Sequence, residues 1–319
     1  MNSPVFAALV PVVLLIAIGF IAGKAGWIRA AGTKDLGNLV FVVLTPVLLF
    51  RTMSQVHIEQ LDFRPVFAYF VGAFLLFGGV LLVKGFNRRG AVLALAATFS
   101  NTVMIGIPLV TLMYGAQGLV TLLSLVSVHA LVLLTSAVVV LELAVAREQN
   151  QLPGASQSRA ARYRRSVLTV LAAFKNAIFH PVPLPIICGL LFAQTSLVIP
   201  PVVDRPLELL GNAFGPLALL LVGATLALTS IGKHWRAALA LAGVKNLVHP
   251  LVVALLCWLL GVGGVPMATM VVVAALPIGA NVFMFSQRYE VAEELVTASV
   301  LMSTVLALLS LTLVVVLLP

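Results

Sequence analysis

Two asparagines set inside apolar runs, Asn101 and Asn281, have the clearest chemical potential in this chain. Asn101 stands in Phe99-Ser-Asn-Thr-Val-Met-Ile-Gly-Ile-Pro-Leu109, and Asn281 in Leu276-Pro-Ile-Gly-Ala-Asn-Val-Phe283. Proline lacks an N–H and its ring clashes with the preceding turn, so Pro108 and Pro277 predict a break in each of two helices. A broken helix exposes N–H groups at the positive end of its dipole, and such ends bind anions. In lipid the freed backbone groups must face protein or a water-filled cavity. A carboxamide there, beside the hydroxyl of Ser100, can satisfy some of them and still offer donors to a carboxylate without fixing a charge in the membrane. The competing reading is a plain kink, with the asparagines acting as glue between helices.

His129, in Ser124-Leu-Val-Ser-Val-His-Ala, is an ionisable residue inside an apolar segment and therefore a functional candidate. Titrating near neutrality, it could hydrogen-bond an anion or take up a coupling proton; a satisfied structural histidine is the alternative. Thr45, Ser127 and Thr225 offer hydroxyls, and Gly223 offers close backbone approach, for a cavity wall. Arg51 ends Leu48-Leu-Phe-Arg51, where it either draws anions to an entrance or snorkels to the interface. Lys245-Asn246, just before His249-Pro250, reads as structural, paired with Glu142 or Asp35, or as part of an exit path.

Other chemistries find little footing. No Gly-rich loop ending in Gly-Lys-Ser/Thr is present, so nothing points to ATP. The histidines, at 57, 129, 180, 234 and 249, form no ligand cluster. No cofactor or metal site is expected. An intramembrane enzyme would need a nucleophile–base pair or metal ligands at depth, and His129 has no evident partner. No Asp or Glu is centred in an apolar run, which argues against a carboxylate-built sodium site, although carbonyl and amide oxygens could form one.

The elements that must hold these residues are membrane helices. The 319 residues are 61% hydrophobic and only 9% charged, against about 25% charged in a soluble domain. A helix crossing the hydrocarbon core needs about 20 apolar residues. The apolar runs predict ten spans, near 4–23, 36–52, 63–83, 91–113, 117–146, 178–198, 206–229, 236–260, 266–287 and 292–318. The net charge of +9 gathers into no nucleic-acid-binding face. Fifteen of the nineteen Lys and Arg fall in the loops after the odd-numbered spans, and three at the opposite ends. Cytoplasmic loops carry the positive excess, so both termini are expected outside the inner membrane. The first apolar run lacks a basic leader and reads as a retained span. Cys188 and Cys257 lie in apolar segments as free thiols.

A polar, basic stretch at 147–177 divides the chain into 1–146 and 178–319, five spans each, and its Arg164 to Asn176 portion reads as an interfacial helix. An odd number per half places the second half upside down relative to the first, as in many secondary carriers. Pro46 in the second span and Gly215-Pro216 in the seventh add to the match between halves.

Ser100-Asn-Thr-Val-Met-Ile-Gly-Ile-Pro-Leu109 with Met113-Tyr-Gly115, together with Ala275-Leu-Pro-Ile-Gly-Ala-Asn-Val-Phe283 and Arg288-Tyr289, resembles the fourth and ninth spans of the auxin efflux carrier family. Pro46 to Phe50 resembles its second. The resemblance runs the length of the chain. It implies two inverted five-helix repeats, a scaffold and a mobile transport domain working as an elevator, and a homodimer formed through the scaffold. It also implies an organic anion bound where broken helices 4 and 9 cross, with the His129 position lining that site. The plant carriers have Pro-Asn where this chain has Ser100-Asn101, and many carry a long central loop missing here. Auxin is therefore not the expected substrate, and a small carboxylate such as malonate is. A sodium-coupled symporter of the related bile-acid type is the alternative.

Overall fold

A computed structural model describes residues 4–56, 62–150, 167–168, 183–195, 197–228, 232–279 and 281–317. Among them there is no strand, only helices and a single isolated bridge. In chain order these are α1 (Pro4–Lys24), α2 (Ala30–Leu39), α3 (Thr45–Met53), α4 (Arg64–Lys84), α5 (Arg88–Thr98), α6 (Ile107–Asn150), α7 (Pro183–Ala193), α8 (Pro201–Leu228), α9 (Trp235–Gly243), α10 (His249–Leu259), α11 (Gly264–Ala275), α12 (Asn281–Arg288) and α13 (Glu293–Leu317). Six helical stretches among the described residues are long and apolar enough to cross a bilayer, and Val10–Lys24, Leu184–Ala193 and Gly264–Ala275 are shorter apolar helices. Leu82, Val83, Val202 and Leu309 stand among many exposed apolar side chains, the surface of a chain solvated by lipid rather than water.

The stretch expected as two spans, 91–113 and 117–146, differs in detail. α5 stops at Thr98, and the next helix continues through residue 115, where Gly115 adopts φ 59°, ψ −147° and turns the chain. Only glycine tolerates that conformation readily. α6 then runs to Asn150, so residues 147–150 are helical rather than loop. Most of the 147–177 connection and its Arg164 to Asn176 portion lie outside the described residues, as do His57 and His180.

Three one-turn π-helical segments, Val40–Leu44, Thr102–Gly106 and Val244–Val248, interrupt the α-helical pattern. Each is followed, two residues on, by a proline: Pro46, Pro108 and Pro250. The cause is local. Proline cannot donate to the carbonyl four residues back and crowds it. The helix therefore widens just before it, and Thr45, Ile107 and His249 donate instead to Val40, Thr102 and Val244, five residues back. Pro108 thus lies inside α6. The break expected from it falls earlier, at Phe99 to Asn101.

The closest helix pairings fall into two sets, which the helix α6 contacts in common. α1 lies along α8, and α3 packs on α7 and α8. A Cβ added at Gly19 or Gly223 would overlap the backbone of Leu220 or Ile16, so α1 and α8 touch main chain to main chain, the usual route to tight packing in lipid. In the second group α4 packs on α5 and α10, α10 on α11, and α9 on α13. At one end of the molecule Arg88 donates to Glu148 (2.6 Å), and Tyr289 Oη donates to Glu142 (3.0 Å), tying α5, α6 and the end of α12 together.

Candidate functional site

Two interrupted stretches cross inside the main core. After α5 the chain is extended at Phe99 (φ −84°, ψ 109°) and turns at Asn101 (φ −76°, ψ 65°) into the π turn that opens α6. After α11 it is extended at Leu276 (φ −60°, ψ 155°) and re-enters helix at Asn281. Ser100 and Ile278 pair as an antiparallel bridge: Asn101 N donates to Pro277 O and Gly279 N to Phe99 O, both at 2.9 Å. Ile278 N donates to Ser303 Oγ of α13 at 3.0 Å. The backbone groups freed by each break are thus satisfied largely by the other break, as burial requires.

Close approach selects glycine here. A Cβ on Gly279 would lie 2.7 Å from the Phe99 ring and 3.2 Å from Ser100 O, and one on Gly106 would lie 2.8 Å from Leu276 Cδ1. Asn101 caps the turn it begins, its Oδ1 accepting from Met104 N at 3.3 Å. That leaves its amide NH2 to offer. Asn101 and Asn281 are both partly accessible and each stands at a helix start, where N–H groups and the positive dipole end converge.

Behind the crossing lies a buried polar chain. Tyr69 Oη of α4 is 2.8 Å from Ser100 Oγ and 3.2 Å from His129 Nε2. All three residues are buried, and the His129 ring sits 4.6 Å from that of Phe99. Two hydroxyls and an imidazole in a row can pass hydrogen-bond direction either way, depending on the histidine tautomer. Nothing in the sequence marks Tyr69, since a tyrosine in an apolar run is an ordinary interfacial residue; only the fold brings it to Ser100. The His249 ring lies 5.2 Å from Tyr69, and neither of its nitrogens has a protein partner.

The remaining candidates lie elsewhere or are engaged locally. Thr45 Oγ1 donates to Val40 O, and Ser127 Oγ to Ser124 O, each within its own helix. Pro108 approaches α8, where a Cβ on Gly215 would lie 3.4 Å from it. Arg51 forks onto Asp204 of α8 at 2.7 and 2.9 Å, so its charge is matched. Lys245 pairs with neither Glu142 nor Asp35; it reaches the backbone at the end of α11.

A cavity of about 420 Å³ opens between the end of α3 and the part of α6 after Gly115. It is lined by Thr52, Gln55, Asp62, Gln117 and Thr121 and reaches Ser124, whose carbonyl holds Ser127. Arg64, hydrogen-bonded to Asp62 at 2.9 Å, holds that carboxyl below its usual range.

A helical chain that crosses the membrane several times and buries two interrupted helices at a polar crossing has the architecture of a membrane transporter. The chain belongs to the membrane transport protein family, whose model matches residues 4–315. It is 24% identical over 287 residues to a Rhizobium meliloti protein named "Putative malonate transporter", covering 87% of this chain and 84% of that one. It is 23% identical to an "Uncharacterized transporter" of Methanothermobacter thermautotrophicus, over 94% of each. A shorter match, 31% over 117 residues, is to the mouse lysosomal cholesterol signaling protein, covering 34% of this chain and 13% of that one. The protein is therefore a multi-pass membrane transporter of this family.

Proposed function

We propose that the protein is a secondary carrier for a small organic anion, a mono- or dicarboxylate of malonate size, in the cytoplasmic membrane. The observation that carries this reading is the crossing itself. Two helix starts, headed by Asn101 and Asn281, converge beside a bridge that joins two otherwise separate breaks. The positive dipole ends of two helix starts and two neutral amides suit a carboxylate. The name of the Rhizobium meliloti relative agrees with that size of substrate.

Ten helices arranged as two inverted repeats, 1–146 and 178–319, complete the proposal. The group α1, α3, α7 and α8 serves as a scaffold that could also form a homodimer. The group holding α4, α5 and α9–α13 moves against it as an elevator, carrying the crossing from one side to the other. The distribution of Lys and Arg supports both termini lying outside, with the Arg51 end and its 420 Å³ cavity as the outer mouth.

Uptake of radiolabelled malonate and related carboxylates into proteoliposomes tests this. A hydrogen bond to a charged group is worth about 1.5–3 kcal/mol. Asn101→Ala and Asn281→Ala should each reduce carboxylate uptake by roughly ten-fold or more. Unchanged uptake in both variants would remove the crossing as the site.

A further inference from the structure

Lys245 is fully buried, yet among the described residues no carboxylate pairs with it. Its Nζ donates instead to two backbone carbonyls, Ala274 O at 2.5 Å and Leu276 O at 2.8 Å. Its neighbour Asn246, also fully buried, donates to the carbonyl between them, Ala275 O, at 2.8 Å. These three oxygens end α11 where the chain leaves helix for the crossing. They carry the negative end of that helix's dipole. The π turn Val244–Val248, forced by Pro250, sets two consecutive side chains onto three consecutive carbonyls.

The other interrupted helix is treated differently. At the end of α5, Phe99 O accepts from the backbone of Gly279, and Thr98 Oγ1 bonds within its own turn. Both of these contacts, among the described residues, are made by neutral groups. Among the described residues Lys245 is the one buried Lys or Arg side chain, and it lies at one of the two helix ends.

Carbonyl oxygens at a half-helix C-terminus are what ion-coupled carriers present to a coupling cation. We infer that Lys245 is a built-in cation that permanently fills such a position, so that the protein moves its anion without binding Na+. The tethered ammonium neutralises the negative end of α11 and leaves the two helix starts to set the sign of the crossing. The inference rests on the carrier reading above and speaks against the sodium-coupled alternative.

Two measurements on the intact protein test it. The first compares wild type in sodium chloride and in choline chloride at clamped potential. Carboxylate uptake should agree within about two-fold, and the melting temperature within about 1 °C, because a cation that is not bound cannot stabilise by mass action. A sodium-specific rise in melting temperature, or uptake at least about ten-fold faster in sodium, overturns the inference. Melting answers even if no carboxylate is transported, which would instead sink the carrier reading. The second uses Lys245→Ala and Lys245→Met. Each should lose roughly ten-fold or more of wild-type uptake in choline medium. Ethylammonium or sodium should restore part of that loss in Lys245→Ala, whose vacated space can admit them, and not in Lys245→Met. Wild-type uptake by Lys245→Met in choline medium overturns the inference. Should neither variant fold, the wild-type ion comparison decides.

Discussion

Gly279→Ala places one methyl group at the tightest point of the crossing. Its carbon would lie 2.7 and 2.9 Å from two atoms of the Phe99 ring. Neither neighbour gives easily: Phe99 is 5% exposed, and its ring lies against His129, at 4.6 Å between centroids. The backbone cannot shift without stretching the two 2.9 Å bonds that join the breaks. Overpacking of this kind costs about 1–3 kcal/mol, roughly a 5–150-fold loss of intact crossing if the damage stays local. Initial rates of carboxylate uptake and melting temperature, measured on the same purified sample, should both fall. Combining the change with Phe99→Leu should recover part of both, since a smaller side chain frees the space the methyl needs. Wild-type uptake and melting in Gly279→Ala, or a double variant worse than the sum of the singles, would refute the steric account.

Two further outcomes follow from single contacts. Tyr69→Phe removes the hydroxyl between Ser100 Oγ and His129 Nε2 and leaves both buried without it; a loss of about 1–3 kcal/mol in stability is expected, read as a lower melting temperature, with Ser100→Ala partly relieving it. Arg51→Gln and Asp204→Asn each break a forked pair whose side chains are 26% and 31% exposed. Each should lower the melting temperature only slightly, the double variant should lower it little more than either single, and carboxylate uptake should stay near wild type because the two charges match each other.

Helices long enough to cross a membrane were legible because apolar runs of twenty residues have few other uses. The interruptions were legible too, from Gly, Pro and Asn inside such runs, but not their location. Pro108 lies seven positions past the turn at Asn101, because a proline can be absorbed by widening the helix instead of ending it. Ser100 and Asn101 stood out as polar residues in an apolar run. Tyr69, Phe99 and Gly279 did not, since an aromatic or a glycine in a membrane helix is common and its meaning depends on what the fold brings opposite. Arg51 and Lys245 are ambiguous in the sequence for a related reason. A lone charge in a sequence looks available, and only tertiary contacts reveal Asp204 beside one and a row of carbonyls beside the other.

The π turns carry a consequence for the length of the chain. Each holds one residue more than an α-helix needs to join the same flanking faces. Losing a residue elsewhere in a helix swings everything beyond it by about 100°. Losing one from Val40–Leu44, Thr102–Gly106 or Val244–Val248 takes out the surplus and leaves the downstream face where it was. Single-residue gaps and insertions among related sequences should therefore collect at these three places. At the third the choice of residue matters, because a gap falling on Lys245 or Asn246 keeps the helix in step while stripping the end of α11 of its donors.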